Sequence, residues 1–352
     1  MSFVTVNNIS LKGIAAAVPS VKYSNLDYSH VTVEERELFI KTTGIKERRV
    51  APQGMSTSDM CYEPAKQLIE KLNWNKEDVD VVIMVTQSPD YFIPGSAVIL
   101  QDRLGLKKSC LAFDINLGCS GYVYGLFVLG NLISSGQLKK GLLLVGDKST
   151  VSTAFTDKSA YPLFGDAGSA TALEFDENAK TMYFNLASDG SGKDAINIEH
   201  GGSRNGIQKD TFDLIEIEPG IAREKRHLKL NGIEIFNFAL REVSPNVNEL
   251  YAKSNQSMAD TDYFVFHQAN KLINESVRKK LKIADVSKVL YSLEKFGNTS
   301  SASIPLTMIT EASENLITKS NNLCLCGFGV GYSWGSALIH TKPFICLPLI
   351  EL

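Results

Sequence analysis

Leu111–Gly121 reads LAFDINLGCSG, and the rest of the chain can be placed around its one cysteine, Cys119. Leu111–Ile115 is a short apolar run suited to a buried strand. Asn116–Gly118 interrupts it, and Cys119 opens YVYGLFVLGNLISSG, a segment that is apolar on every side. An all-round apolar helix belongs in the middle of a fold. A thiol at the first turn of such a helix would meet unpaired N–H groups and the positive end of the helix dipole. That setting lowers a thiol pKa, and the thiolate is the nucleophile. A small buried cysteine that merely fills core explains the stretch equally well.

The chain has 352 residues, more than a typical single domain, so one large or two fused domains are expected. With 44% hydrophobic and 21% charged residues and a net charge of −3, it reads as a soluble globular protein. There is no basic excess for nucleic acid or a membrane surface. Cys61, Cys110, Cys119, Cys324, Cys326 and Cys346 form neither a C-x-x-C pair nor a Cys/His cluster of zinc spacing, so no metal is expected. No disulfide framework and no signal peptide are evident, which favours a reducing cytoplasm. No run reaches the roughly 18–20 apolar residues of a membrane span.

In order, Ser2–Val18 alternates and reads as one strand closed by Pro19. Glu34–Thr43 reads as a helix, residues 42–52 as a polar turn, and Ser56–Leu72 as a serine-capped amphipathic helix. Asp80 introduces the apolar strand VVIMVT, residues 81–86, and Ala97–Leu104 is helical. The strand LLLVG at 142–146 precedes YPLFGDAGSATALEF at 161–175. Residues 187–230 are weakly patterned and read as an irregular insertion or linker. Beyond them come a helix at Ile233–Tyr251, the strand YFVF at 263–266, a helix at Lys271–Leu281, strand VLYSL, a helix to about Ile317, and strands LCLCGFGVG and SWGSALIH. Alternating strands and helices predict an α/β fold.

The two halves echo each other. Asp80-VVIMVT resembles Asp262-YFVF, and LLLVG with GSATALEF resembles LCLCG with GSALIH. Cys119 follows Thr86 by 33 residues and Asn298 follows His267 by 31, each at a strand-to-helix junction. A duplicated α/β chain would bring Cys119, His267 and Asn298 together, and the expected halves are residues 1–180 and 181–352.

Of five histidines, His30, His200 and His227 lie in polar surroundings and are expected to face solvent, while His340 ends a strand. His267 alone stands at the tip of a buried strand, where α/β proteins present ligand-facing groups. A hydrogen-bonded structural histidine is the alternative. Asn298 in FGNTSSASIP could act on a ligand or cap a helix. GFGVGYSWG, residues 327–335, carries alternating glycines whose backbone could approach a ligand and offer an oxyanion hole. No dinucleotide G-x-G-x-x-G is completed, and Gly141–Gly146 fails as a P-loop because Asp147 stands where lysine belongs.

Taken together and in order, TGIKER, GCSG after FDIN, LFGDAGSA, HQAN, GNTSSASIP and GFGVGYSWG resemble the β-ketoacyl-acyl carrier protein synthase III family of the thiolase superfamily. The resemblance runs from about residue 3 to 342 and is weakest at 190–230. It implies a thiolase-like fold of two duplicated βαβαβαββ halves in five αβαβα layers, and a homodimer. It implies Cys119 as the acylated nucleophile, His267 and Asn298 as donors for decarboxylation, and the N–H groups of Cys119 and Val330 as the oxyanion hole. Acyl-CoA and malonyl-acyl carrier protein would be substrates, with no tightly bound cofactor. Phe92, Ile93, Phe328 and Asn270 would line the acyl and substrate pocket. Arg278, Lys279 and Lys280 would dock the acidic carrier protein; a solvated helix face is the alternative. Three positions depart from the family on the coenzyme A side: Leu38 replaces a stacking Trp, and Thr42 and Lys158 each replace an Arg. The acyl donor is therefore open between acyl-CoA and a carrier thioester. A related condensing enzyme or acyltransferase of a specialised pathway is the alternative.

Overall fold

Strands β3 (Val81–Val85) and β5 (Lys140–Asp147) are apolar at almost every position, a pattern that demands cover on both faces. In the computed structural model, which describes residues 1–352, they form the parallel centre of the first sheet. Strand β4 (Leu111–Ile115) joins β3 in parallel at one edge. On the other side β6 (Ala167–Phe175) and β2 (Ile9–Val18) follow in antiparallel order.

The second sheet repeats this order. Strands β8 (Tyr263–Phe266) and β9 (Asn321–Gly329) are parallel, then β10 (Ser333–Thr341) and β7 (Met182–Ser188) follow antiparallel. The strand expected at VLYSL, which would match β4, survives only as a single bridge between Phe264 and Val289. Helices α4 (Gly121–Ile133) and α7 (Ser303–Thr318) lie between the sheets in one apolar core containing Val85, Leu126, Leu129, Ile304, Ile309 and Leu325. A Cβ on Gly121 would come within 2.5 Å of Val85 Cγ1, so glycine lets α4 start hard against β3. Outside, α2 (Thr57–Lys71) and α3 (Ser96–Arg103) cover the first sheet. Helices α5 (Ser244–Ser254) and α6 (Lys271–Lys280) cover the second. The layers are therefore αβαβα.

Several sequence expectations need correction. Ser2–Val18 is two strands: β1 (Ser2–Val6) and β2 part at Asn7–Asn8, where Asn8 has φ of 62°. β1 pairs with β7 in the second sheet, while Ile345–Cys346 and Ile350–Glu351 pair with β2 in the first. The boundary expected near residue 180 thus divides the sequence but not the sheets. β4 is an edge strand rather than a buried one, with Leu111 46% and Phe113 37% exposed. The polar turn at 42–52 contains two buried arginines, Arg48 and Arg49. The helix expected at 233–251 runs from Gly232 to Ser254 with a π-helical turn at Ala239–Val243.

Candidate active site

Cys119 sits in the turn that leads into α4, two residues before its first helical residue. The carbonyl of Gly118 accepts from Gly121 N–H at 2.7 Å and fixes that turn. The first half supplies the cysteine and the second supplies its neighbours. His267 continues β8, with its N–H donating to Cys326 O at 2.7 Å. Asn298 is clamped on both sides of its backbone: its N–H donates to Leu163 O at 2.9 Å and its carbonyl accepts from Gly165 N–H at 3.0 Å. Arg48 holds the far side of that clamp by donating to Phe164 O at 2.9 Å. TGIKER, LFGDAGSA and GNTSSASIP are thus three parts of one bonded assembly.

Cys119, His267 and Asn298 line one cavity of about 590 Å³. Asn270, Phe328 and Val330 line it too, as expected. Phe328 stands edge-on to the His267 ring, centroids 5.6 Å apart. Asn270 also caps α6, its Oδ1 accepting from Ile273 N–H at 2.9 Å. A Cβ on Gly329 would lie 2.8 Å from Cys119 Sγ, so the strand backbone passes directly over the sulfur.

The electrostatics differ from the simple helix-dipole expectation. Burial pushes the Cys119 thiol up to about 11, with the Asp147 charge adding to the effect. The Val330 N–H, the Ser300 hydroxyl and the cysteine's own N–H oppose that rise by facing the sulfur. Burial pulls His267 down to about 3, against a hydrogen bond with the Ser300 backbone, so its ring is neutral at physiological pH. Its Nδ1 lies 2.8 Å from Ser303 Oγ. Asn298 Oδ1 accepts from Ser300 N–H at 2.9 Å, which turns Nδ2 into the side chain's remaining donor. The cap-like and ligand-facing readings of Asn298 are therefore compatible.

Other expected residues fall elsewhere. Phe92 and Ile93 do not line the cavity of their own chain; they are 90% and 86% exposed on the loop after β3. Arg278 is held by Glu275 at 2.9 Å and by Ile283 O at 2.7 Å, and Lys280 Nζ donates to Leu240 O. Lys279 is the one member of that trio whose side chain makes no hydrogen bond or ion pair. Lys158 lines the cavity but pairs with Glu35 on α1 (Val33–Thr43) at 2.9 Å. Leu38 on the same helix is 63% exposed. His30, His200 and His227 are half-buried rather than solvent-facing; His30 meets Gly220 O, and His200 meets Thr211 Oγ1.

Residues 187–230 are not a linker. Ile196–Ile198 and Leu228–Leu230 pair as a two-stranded ribbon, and Ile196, Ile198, Leu228 and Leu230 form an apolar wall of the cavity. No periodic signal marks these strands, since each has only three residues. No helix is long and apolar enough to cross a membrane.

Known proteins carry the same architecture. A 3-oxoacyl-(acyl-carrier protein) synthase from Burkholderia xenovorans superposes with a TM-score of 0.94 at 34% identity, covering 100% of this chain and 99% of that one. The β-ketoacyl-[acyl-carrier-protein] synthase III of Campylobacter jejuni is 35% identical over 94% of this chain and 97% of its own. That of Clostridioides difficile is 32% identical over 93% and 96%. Fold and relatives together define a thiolase-fold condensing acyltransferase. Residues 113–190 match the family described as 3-Oxoacyl-[acyl-carrier-protein (ACP)] synthase III, and residues 251–341 match its C-terminal part. The chain belongs to this family.

Proposed function

We propose that Cys119 accepts an acyl group from a thioester and that the enzyme then joins it, with loss of CO₂, to malonyl-acyl carrier protein. The observation that carries this reading is the convergence of Cys119, His267 and Asn298 on one cavity. In the first half-reaction the sulfur attacks the donor carbonyl, and the N–H groups of Cys119 and Val330 hold the oxyanion. In the second, the malonyl thioester oxygen accepts hydrogen bonds from His267 and from Asn298 Nδ2. The leaving CO₂ deposits its electron pair on that thioester as an enolate, which two neutral donors stabilise as it forms. The ring proton sits on Nε2 for this task when the Ser303 hydroxyl, 2.8 Å away, donates to Nδ1. The enolate carbon attacks the acyl carbonyl, the bond to Cys119 breaks, and a 3-oxoacyl carrier thioester leaves.

A carrier-bound acyl donor is favoured over acyl-CoA by the three departures from the family pattern at Leu38, Thr42 and Lys158. Leu38 offers no flat aromatic face for a base, Thr42 offers no charge, and Lys158 is already paired with Glu35. The test is intact-protein mass spectrometry after incubation with acyl-CoAs and acyl carrier proteins of several chain lengths. Adducts from carrier-bound chains alone support this donor class and a specialised pathway. Adducts from short acyl-CoAs return the enzyme to conventional initiation of fatty-acid synthesis. An absence of adducts from every donor overturns Cys119 as nucleophile.

A homodimer would explain the exposed edge. Leu111 and Phe113 share one face of β4, which has no partner beyond β3, and Tyr91, Phe92 and Ile93 are exposed on the adjoining loop. An open apolar edge strand invites pairing, and two copies related by a twofold axis would pair β4 with itself. Phe92 or Ile93 would then be free to reach the partner's pocket. Sedimentation at micromolar concentration should give one species of twice the chain mass; a monomer that condenses at full rate sinks the idea. The six cysteines, none of them disulfide-bonded, support a reducing compartment such as the cytoplasm.

A further inference from the structure

Cys119 and Val330 belong to different halves of the chain, yet both line the reaction cavity and their backbones meet. A Cβ on Gly327 would lie 2.8 Å from both Cys119 O and Ser120 Cα, and one on Gly329 would lie 2.6 Å from Cys119 Cβ. The end of β9 therefore runs along the nucleophile turn with no side chain between them. Beyond Gly329 the chain turns through Val330, Gly331 and Tyr332 and returns as β10, where Ser333 pairs with Gly329. Gly331 has φ of 129°, open to glycine and rare for other residues. A turn through such a residue has latitude, so the direction of the Val330 peptide is set by what its surroundings bond.

Two hydroxyls do that bonding. Ser333 Oγ donates to Val330 O at 2.9 Å, and Ser120 Oγ lies 2.6 Å from Ser333 Oγ. Ser120 is 1% exposed and Ser333 6%, so bulk water does not compete for either. A carbonyl only accepts, so the one proton of Ser333 goes to Val330 O. The proton between the two serines must then come from Ser120. The chain has a single direction: Ser120 O–H to Ser333 Oγ, and Ser333 O–H to Val330 O. It runs from the residue after the nucleophile to the carbonyl of Val330, and so restrains that residue on the side away from its N–H.

The rest of the turn is held from behind. Tyr332 N–H donates to Asp189 O at 2.6 Å, and Asp189 N–H donates to Tyr332 O at 2.9 Å. The Tyr332 ring stacks on Phe238, with centroids 4.0 Å apart and planes 6° from parallel. These contacts attach the turn to the second half of the chain. The serine pair attaches it to the first, where the nucleophile stands.

Given the reading above that the N–H groups of Cys119 and Val330 form the oxyanion hole, we propose that Ser120 and Ser333 are positioning residues that fix the span between those two donors. Each half of the chain contributes one donor, and the hydroxyl chain sets how the halves present them to one oxygen. Donors are effective where they meet the oxyanion rather than the ground-state carbonyl oxygen, so a small misaim costs rate more than binding. The serines thus act on the transition state of acyl transfer. Decarboxylation, which draws on His267 and Asn298, does not depend on that span.

The test is single-turnover formation of acyl-Cys119 in Ser120→Ala, Ser333→Ala and the double variant, read by rapid quench and intact mass. Ser120→Ala unties the first half but leaves Ser333 on Val330 O, whereas Ser333→Ala removes both links. The maximal loading rate should fall about tenfold in Ser120→Ala and at least as far in Ser333→Ala, with the half-saturating donor concentration unchanged. The double variant should match Ser333→Ala, since Ser120 acts through Ser333. Exchanging the donor's carbonyl oxygen for sulfur, a weaker acceptor, reads the oxyanion hole directly. The dithioester should load more slowly than the thioester in the wild type, and the gap should narrow in both single variants. CO₂ release from malonyl-acyl carrier protein without an acyl donor should fall far less than loading. Full-rate loading, losses that multiply in the double variant, an unchanged dithioester gap, or equal slowing of loading and CO₂ release overturns the proposal. Ser120→Ala keeps the turn's bonds to Asp189, so it decides the matter should Ser333→Ala fail to fold. A wild type with no dithioester gap refutes the oxyanion hole, and one that forms no acyl-cysteine refutes the nucleophile, so these failures are distinguishable from failure of the serine chain.

Discussion

Cys119→Ala should abolish the acyl adduct from every donor and lower condensation by roughly 10⁵-fold or more, the scale seen when a covalent nucleophile is removed. The change leaves the Cβ in place under Gly329, so the turn into α4 keeps its packing. His267 and Asn298 are untouched and sit on separate elements. The variant should therefore still release CO₂ from malonyl-acyl carrier protein while forming no carbon–carbon bond. Product analysis together with CO₂ release reads both halves. Continued condensation without the thiol would show that this cavity works by other chemistry.

His267→Ala and Asn298→Asp should each lower condensation by roughly 10²–10³-fold, the cost of one donor to a developing oxyanion. Asn298→Asp is the cleaner variant. Its carboxylate can still accept the Ser300 N–H that Oδ1 accepts now, so the turn survives while the donor is lost. Acyl loading on Cys119 should persist in both variants, since the N–H groups of Cys119 and Val330 serve that step. The double variant should lose less than the product of the two single losses, because both donors serve one oxygen. Stopped assays that follow loading and condensation separately check this; equal loss of both steps would mean the two residues merely hold the cavity together.

Much of this site was legible in the sequence because the fold writes it twice. An acid-led apolar strand, a reactive residue about thirty positions on, and a glycine-ended strand recur in each half, and both sheets have the same strand order. Proximity of Cys119 to His267 and Asn298 followed from that repetition. Arg48 shows what local reading misses. It lies in a stretch that is polar in text, yet it is buried because its partner Phe164 O is 116 residues away. The apolar cavity wall at 196–198 and 228–230 was invisible for a similar reason: three-residue strands carry no period. Asn7–Asn8 hid a change of sheet, since one left-handed residue can redirect the chain without disturbing the alternation around it. The thiol pKa misled most. A helix start argues for a lowered value, but enclosure and the Asp147 charge outweigh it, and neither is visible from neighbouring residues.

The crossing of the two chain ends has a consequence for biosynthesis. β1 is made long before its partner β7, which lies near the middle of these 352 residues. Gly13–Val18 waits longer, since Ile345–Cys346 and Ile350–Glu351, which pair with it, come far later in the chain. Neither half can close its own sheet alone, so the duplicated units are not separable modules. The nascent first half therefore carries an open strand edge until those distant strands have been made.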